Sequence, residues 1–297
     1  MAARREAYLS VTEYRKQIES DSSSFFRNDP DLISARPEPH PTKPNKIVFY
    51  SGAMAGCFPM LSGARKWGVK LFFQKIPDLE IRYEEINAAL KKLKSPHFIE
   101  LEYREGPRKG AIWSSEYTPY IKMEYVGGTV LREHVGKLAA RKDGQAFRDL
   151  AQQWRHIALM MEQEEIAHGD IQAENLKVTT TGVIRLIDLD TMFVPSLRPR
   201  KLKCVAYGIP SWQHPLKKTD ESHFNERLDR FPALAMYLCL LALSDNPSLF
   251  NPQAVGENEL LFTKDDLLDP NGSRIFRHLS NSANPEIRGS STFSVER

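Results

Sequence analysis

Cysteine is scarce in this sequence. Its 297 residues include three, Cys57, Cys204 and Cys239, an odd number without metal-ligand spacing. That argues against a disulfide framework and for a reducing compartment. A dominant charge is missing as well: 41 Lys and Arg stand against 38 Asp and Glu, a net charge of +3. Nothing in that balance calls for a nucleic-acid or membrane-surface partner, and no nucleic-acid partner is expected. The most apolar run, FPALAMYLCLLAL from Phe231 to Leu243, is about five residues too short to cross a bilayer comfortably and reads as a core helix. The segment MAARREAYLSVTEYRKQI has no signal-peptide pattern, so no membrane span and a cytoplasmic location are expected. Internal repeats are lacking too.

What is present is a change of character along the chain. Residues 1–20 pattern as a helix that the small polar run SDSSS should end, and four prolines in ARPEPHPTKPN, 35–45, forbid helix or central strand there. Residues 1–45 therefore read as an N-terminal helix and a proline-rich extension. From Lys46, IVFYSGAMAGCFPML and KWGVKLFF read as strands, with Trp67, Val69, Leu71 and Phe73 alternating against Lys70 and Phe72. A helix follows with Leu79, Tyr83, Ile86, Leu90 and Leu93 at steps of three and four, then strands in HFIELEYRE and YTPYIKMEYV. Beyond Gly127 helices dominate, and only NLKVT and VIRLIDL read as strands between them. An α+β fold is expected, with a strand-rich part over 46–126 and a helix-rich part over 127–297.

One stretch carries chemistry. In HGDIQAENL, Asp170 and Asn175 stand five positions apart, and VIRLIDLD puts Asp188 eighteen residues after Asp170 at the end of an apolar strand. Phosphoryl transfer needs this set: a carboxylate to orient a hydroxyl, and oxygen ligands for Mg²⁺. The order resembles the protein-kinase catalytic loop and metal-binding motif, with HGD for HRD and DLD for DFG. More narrowly, the chain resembles bacterial kinase-like proteins with "VxxY", "WAVKCF", "HGDLQxxN", "DYDGMFVP" and "YQHP" motifs, matched here by SVTEY, WGVKLF, HGDIQAEN, DLDTMFVP and WQHP.

The resemblance implies a bilobal protein-kinase-like fold, a small β-rich lobe with one main helix before a larger helical lobe. It implies ATP and Mg²⁺ as cofactors, with Asp170 as catalytic base, Lys70 on the phosphates and Gln172 as a neutral donor near them. Asn175, Asp188 and Asp190 become the metal ligands. Gly52 and Ala55 would cover the phosphates and Cys57 would line the nucleotide pocket. Met123 takes the gatekeeper position, and the backbone of Glu124 and Val126 would meet adenine. Asp229 would tie the catalytic loop, and one of Glu80, Glu84 and Glu85, with Glu84 preferred, would pair with Lys70.

Departures accompany the matches. Ala55 stands where kinases prefer glycine, Gly169 and Gln172 replace an arginine and a lysine, and Leu216 replaces a glutamate. The basic run RPRKLK, Arg198 to Lys203, reads as a solvated loop or a contact for an acidic substrate. The expected activity is transfer of the ATP γ-phosphoryl to a Ser or Thr of a protein, because GIPSWQHP resembles a peptide platform. A small-molecule phosphotransferase of the aminoglycoside type and a nucleotide-binding pseudokinase scaffold are the alternatives. The sequence leaves the protein substrate and the oligomeric state open.

Overall fold

The computed structural model describes residues 8–107, 117–215 and 224–291. Within them the protein is mixed α and β with antiparallel sheets, an α+β architecture. The chain divides into two compact units, Met1–Lys94 with Ile99–Tyr125, and Ser95–Phe98 with Val126–Arg297.

The first unit is built on a sheet of order β1–β3–β4–β6–β5, with β2 also paired to β3. Its strands are β1 (Arg36–Pro37), β2 (Tyr50–Ser51), β3 (Ala55–Ser62), β4 (Arg65–Phe72), β5 (Leu101–Pro107) and β6 (Tyr117–Glu124). Pro37 sits on the edge strand, where its missing N–H costs no ladder bond. Val69 and Leu71 are fully buried as their alternation requires, but Phe72, expected on the opposite face, is also 0% exposed. Both faces of β4 are covered. Val69 and Leu71 pack into a cluster with the N-terminal segment, and the Phe72 ring meets Tyr83 of α2 (Leu79–Leu93) at 6.3 Å.

Helix α1 (Val11–Phe25) starts at a capping box in which Ser10 and Glu13 satisfy each other's backbone N–H groups. It does not stop at SDSSS. Asp21 leaves helical geometry at φ −162°, ψ 74°, and its carboxylate then accepts the N–H of Ser24 at 3.1 Å, so the chain is capped again and winds on to the buried Phe25. Residues expected to form a separate extension belong to this unit's core instead. Tyr14, Ile18, Phe25, Phe26, Leu32 and Ala35 join Phe58, Met60, Val69, Leu71 and Tyr120 in one cluster. Polar anchors reinforce the attachment: Tyr120 donates to buried Asp29 at 3.1 Å, and the Lys122 ammonium reaches Asp31 at 2.5 Å and Glu102 at 3.2 Å. Burial opposes the Lys122 charge, yet the surrounding carboxylates outweigh it and hold its pKa above the ordinary lysine value.

In the second unit, α4 (Gly144–Gln163) is capped by Asp143, which accepts from Ala146 N at 3.1 Å. It buries Phe147, Leu150, Trp154, Ile157 and Met161, one face at helical spacing. Trp154 Nε1 donates to the Ala233 carbonyl at 2.8 Å, which fixes α4 against α5 (Arg230–Asp245). A small sheet of order β7–β8–β9 lies alongside in sequence: β7 (Thr129–Val130), β8 (Leu176–Val178) and β9 (Ile184–Leu186). Helices α3 (Leu131–Arg141), α6 (Lys264–Leu268), α7 (Arg274–Ser280) and α8 (Pro285–Ser291) also belong to this unit.

Candidate functional site

In the second unit, α4 ends at Gln163 and the chain passes through Ala167, whose backbone pairs with Phe193, into the loop that begins at His168. Four further ties hold that loop. The Asp229 carboxylate, 5% exposed, accepts the His168 N–H through one oxygen and the Gly169 N–H, at 2.9 Å, through the other. Although Asp229 precedes α5, its side chain caps nothing in that helix. The His168 ring accepts from Asp170 N at Nδ1, 3.3 Å, so Nε2 carries the proton and donates to the Ile187 carbonyl at 2.9 Å. His168 is a brace between the loop and the strand that leads to Asp188.

Gly169 has φ +83°, and a Cβ there would lie 2.3 Å from the Thr191 carbonyl oxygen. This is the physical reason that no larger residue fits between His168 and Asp170: the position needs left-handed backbone and close approach together.

Asp170 points one oxygen into a pair of amides. Its Oδ2 accepts from Gln172 Nε2 and from Asn175 Nδ2, both at 2.9 Å, and Asn175 Nδ2 also reaches the Asp170 carbonyl at 2.9 Å. Its Oδ1 is buried without a hydrogen-bond partner, and a Cβ on Gly208 would stand 3.1 Å from it. A buried carboxylate oxygen without an internal donor is an acceptor that a substrate hydroxyl would satisfy on reaching it. Gln172, expected near the phosphates, spends its amide on Asp170. Gly208 opens the GIPSWQHP segment, which is anchored by Trp212 Nε1 on the Asn258 carbonyl at 2.6 Å. Leu216, just beyond it, lies outside the described residues.

The β8–β9 ribbon brings Asn175 and Asp188 to one end. Leu176 is paired with Leu186, and Ile187 N donates to the Asn175 carbonyl at 2.9 Å. Asp188 is exposed and has φ 63°, ψ 67°, left-handed backbone that Asp tolerates better than most residues. Such outliers gather where a side chain must be aimed. Asp190 follows, half-buried, in a short 3₁₀ turn. With Nδ2 of Asn175 committed to Asp170, its amide oxygen is the donor atom left for a cation. Carboxylate plus amide oxygens fit a hard ion such as Mg²⁺. Among the described residues no group of three His, Cys, Asp or Glu is placed to hold a metal, and a set containing Asn is not of that kind. Beside the loop, burial pushes the Glu174 carboxyl above its ordinary range while Arg132 pulls the other way.

The first unit assembles another part of the nominated set. Cys57 is the register partner of Lys70, and Gly68 that of Met123. A Cβ on Gly68 would lie 3.2 Å from Met123 Cγ and 3.5 Å from Cys57 Sγ, so both side chains gather over that glycine. Gly52 N donates to the Ala55 carbonyl at 2.9 Å, closing a tight turn between β2 and β3. Ala55 is buried, so only its backbone can face a ligand. The glycine that packing demands is Gly56, where a Cβ would meet the Phe49 ring at 2.3 Å. Glu124 N is bonded to the Glu100 carbonyl at 2.8 Å. Of the three α2 glutamates, Glu80 and Glu84 are exposed and Glu85 is half-buried.

Lys177 joins this region without a motif to mark it. Its ammonium donates to the Val126 carbonyl at 3.0 Å, within the second unit, so Val126 has its N–H rather than its carbonyl to offer a ligand. The alternation of buried Leu176 and Val178 around it, pointing Lys177 away from the core, was the available signal. In the RPRKLK run, Arg198 forms surface pairs with Glu165 at 3.2 Å and Glu226 at 3.3 Å. Comparison of the sequence with family models and with curated proteins yields no match.

Proposed function

We propose that this protein is an ATP- and Mg²⁺-dependent phosphotransferase of protein-kinase-like, bilobal architecture, which transfers the γ-phosphoryl group to a Ser or Thr hydroxyl of a protein. The observation that carries the reading is the state of Asp170: one carboxylate oxygen held by Gln172 and Asn175, the other buried and unpartnered. A carboxylate fixed by two amides has little freedom to reorganise, and its unpartnered oxygen would accept the proton of an attacking hydroxyl brought against it.

Each remaining residue has a defined task in that reading. Asn175 and Asp188, with Asp190 beside them, would hold Mg²⁺, which when bound offsets the charge on the transferring phosphoryl oxygens. Asp229 and His168 keep the loop in shape. Lys70 would neutralise the nucleotide phosphates. Cys57, Met123 and the backbone of Glu124 and Val126 would receive the base, while the Gly52–Ala55 turn would cover the phosphates. The GIPSWQHP segment, resembling a peptide platform, favours a protein acceptor.

The test is incubation of the purified chain with γ-labelled ATP, Mg²⁺, a generic protein substrate and a panel of small alcohols. Label on the protein supports the proposal. Label only on a small alcohol would make the chain a small-molecule phosphotransferase, and nucleotide binding without transfer would make it a pseudokinase.

A further inference from the structure

Helix α7 buries Phe276 and Leu279 on one side. On the other it presents Arg274, Arg277 and His278, with Asn281 just past its end, at spacing i, i+3, i+4 and i+7, which stacks them on one face. All four are exposed, and together they border a shallow depression of about 360 Å³, open to solvent.

What sets this face apart is that its charge is uncompensated. Among the described residues no carboxylate lies within 4.0 Å of any of the three basic groups, whereas Arg198 and Arg230 elsewhere in the same unit meet Glu165, Glu226 and Glu162. The Arg277 guanidinium is oriented by neutral acceptors, the carbonyls of Ser273 at 3.3 Å and Gly272 at 3.4 Å. Carbonyls steer a guanidinium without cancelling its charge. The carboxylate preceding the helix, Asp269, is occupied by the Gly272 N–H at 3.0 Å.

We propose that this basic face of α7 binds a phosphate monoester carried on a peptide side chain, a phosphorylated Ser or Thr. Arg274 offers paired N–H donors that match phosphate oxygens, Arg277 one turn on keeps its Nη1 donors beyond those given to the carbonyls, and the imidazole adds a further donor on the same face. The basic groups span little more than one turn of a seven-residue helix, a footprint suited to one phosphorylated residue rather than to a nucleic-acid strand. Helix α7 carries no exposed large apolar side chain, so it lacks the anchor by which a helix enters a bilayer. The inference is independent of the phosphotransferase reading, since it uses neither Asp170 nor Asp188.

The experiment measures fluorescence anisotropy of a labelled peptide with one central phosphoserine, and of its unphosphorylated form, against the full chain. Arg274 and His278 are exposed and take part in no described ion pair, so Arg274→Ala with His278→Ala should leave the fold intact. The expected result is binding of the phosphopeptide at least about tenfold tighter than its unphosphorylated form, competed by inorganic phosphate and weakened at least about tenfold in the double variant, the size of one charge-assisted hydrogen bond. Asp188→Asn should bind like the wild type. Equal binding of the two peptides, or affinity unchanged in the double variant, would overturn the proposal. So would loss of binding in Asp188→Asn, which would place the phosphate elsewhere, or capture of phosphatidic-acid vesicles in preference to the peptide.

Discussion

The buried carboxylate of Asp229 accepts the backbone N–H groups of His168 and Gly169, using one oxygen for each. Residues about sixty positions apart in sequence are joined by this buried polar contact. Replacing Asp229 with Ala would strand two buried donors, at a cost of about 2–4 kcal/mol. Asp229→Asn keeps one acceptor oxygen and should lose about half of that. Urea midpoints of the two variants check the order, and equal losses would assign the effect to packing instead.

Gly169 and Gly52 make a matched pair for a second prediction. Gly169→Ala must carry a side chain at φ +83° into the Thr191 carbonyl, while a Cβ at Gly52 meets only the Ala55 oxygen at an ordinary 3.5 Å. The first change should destabilise by at least about 2 kcal/mol, and the second should fall within about 0.5 kcal/mol of the wild type. Thermal melts with calorimetric enthalpies would report both.

Asp188→Asn and Asp170→Asn test the division of labour in the proposed reaction. Asn tolerates the left-handed backbone seen at Asp188, so the first variant should fold and yet lose Mg²⁺-dependent turnover by at least about a hundredfold. The second should lower transfer by about 10²–10⁴-fold with nucleotide affinity nearly unchanged, because a carboxamide cannot accept the hydroxyl proton. ATP affinities that fell equally in both variants would contradict the assignment.

His97 supplies a pH dependence. Its ring is buried, which disfavours the charged form, and His156 and Arg185 add like charge, so its folded pKa lies below the ordinary 6.5 although its bond to the Ile184 carbonyl pulls upward. As pH falls, the unfolded chain takes the proton first. The contribution of His97 is therefore complete above about pH 6.5 and is lost progressively as pH drops toward the folded value. Burial shifts His134 the same way, with Lys137 and Arg141 adding to it. The difference between wild type and His97→Gln isolates one residue: unfolding free energy measured between about pH 7.5 and 5 should decline less steeply in the variant.

Thiol labelling distinguishes the cysteines. Cys239 is fully buried and burial pushes its pKa up, which makes it inert, whereas Cys57 is only half-buried beside Gly68 and Met123. Brief alkylation read by mass spectrometry should modify Cys57 and spare Cys239. A bound ATP analogue, with occupancy shown by a separate binding assay, should protect Cys57 and leave Cys204 labelling unchanged. Unprotected Cys57 would remove it from the proposed nucleotide pocket.

Helices and strands with a strong local pattern were legible from the sequence. The apolar face of α4, the period of α2 and the inward Val69 and Leu71 of β4 follow from spacing alone, because burial of one face is a local property of consecutive residues. The candidate loop was legible for a different reason, since Asp170, Asn175 and Asp188 are recognised by residue type and order. Tertiary structure decided what depends on residues distant in the chain. The N-terminal segment looked like an extension because its apolar residues, Tyr14, Ile18, Phe25, Phe26 and Leu32, are too sparse to show that a sheet face awaits them. Phe72 is buried against expectation because α2 covers the second face of β4. Only the fold could reveal that Gln172 and Asn175 converge on one oxygen of Asp170, and that Thr191 leaves room at position 169 for nothing but glycine. Local sequence sets which way a side chain faces, and the long-range path of the backbone sets what it meets there.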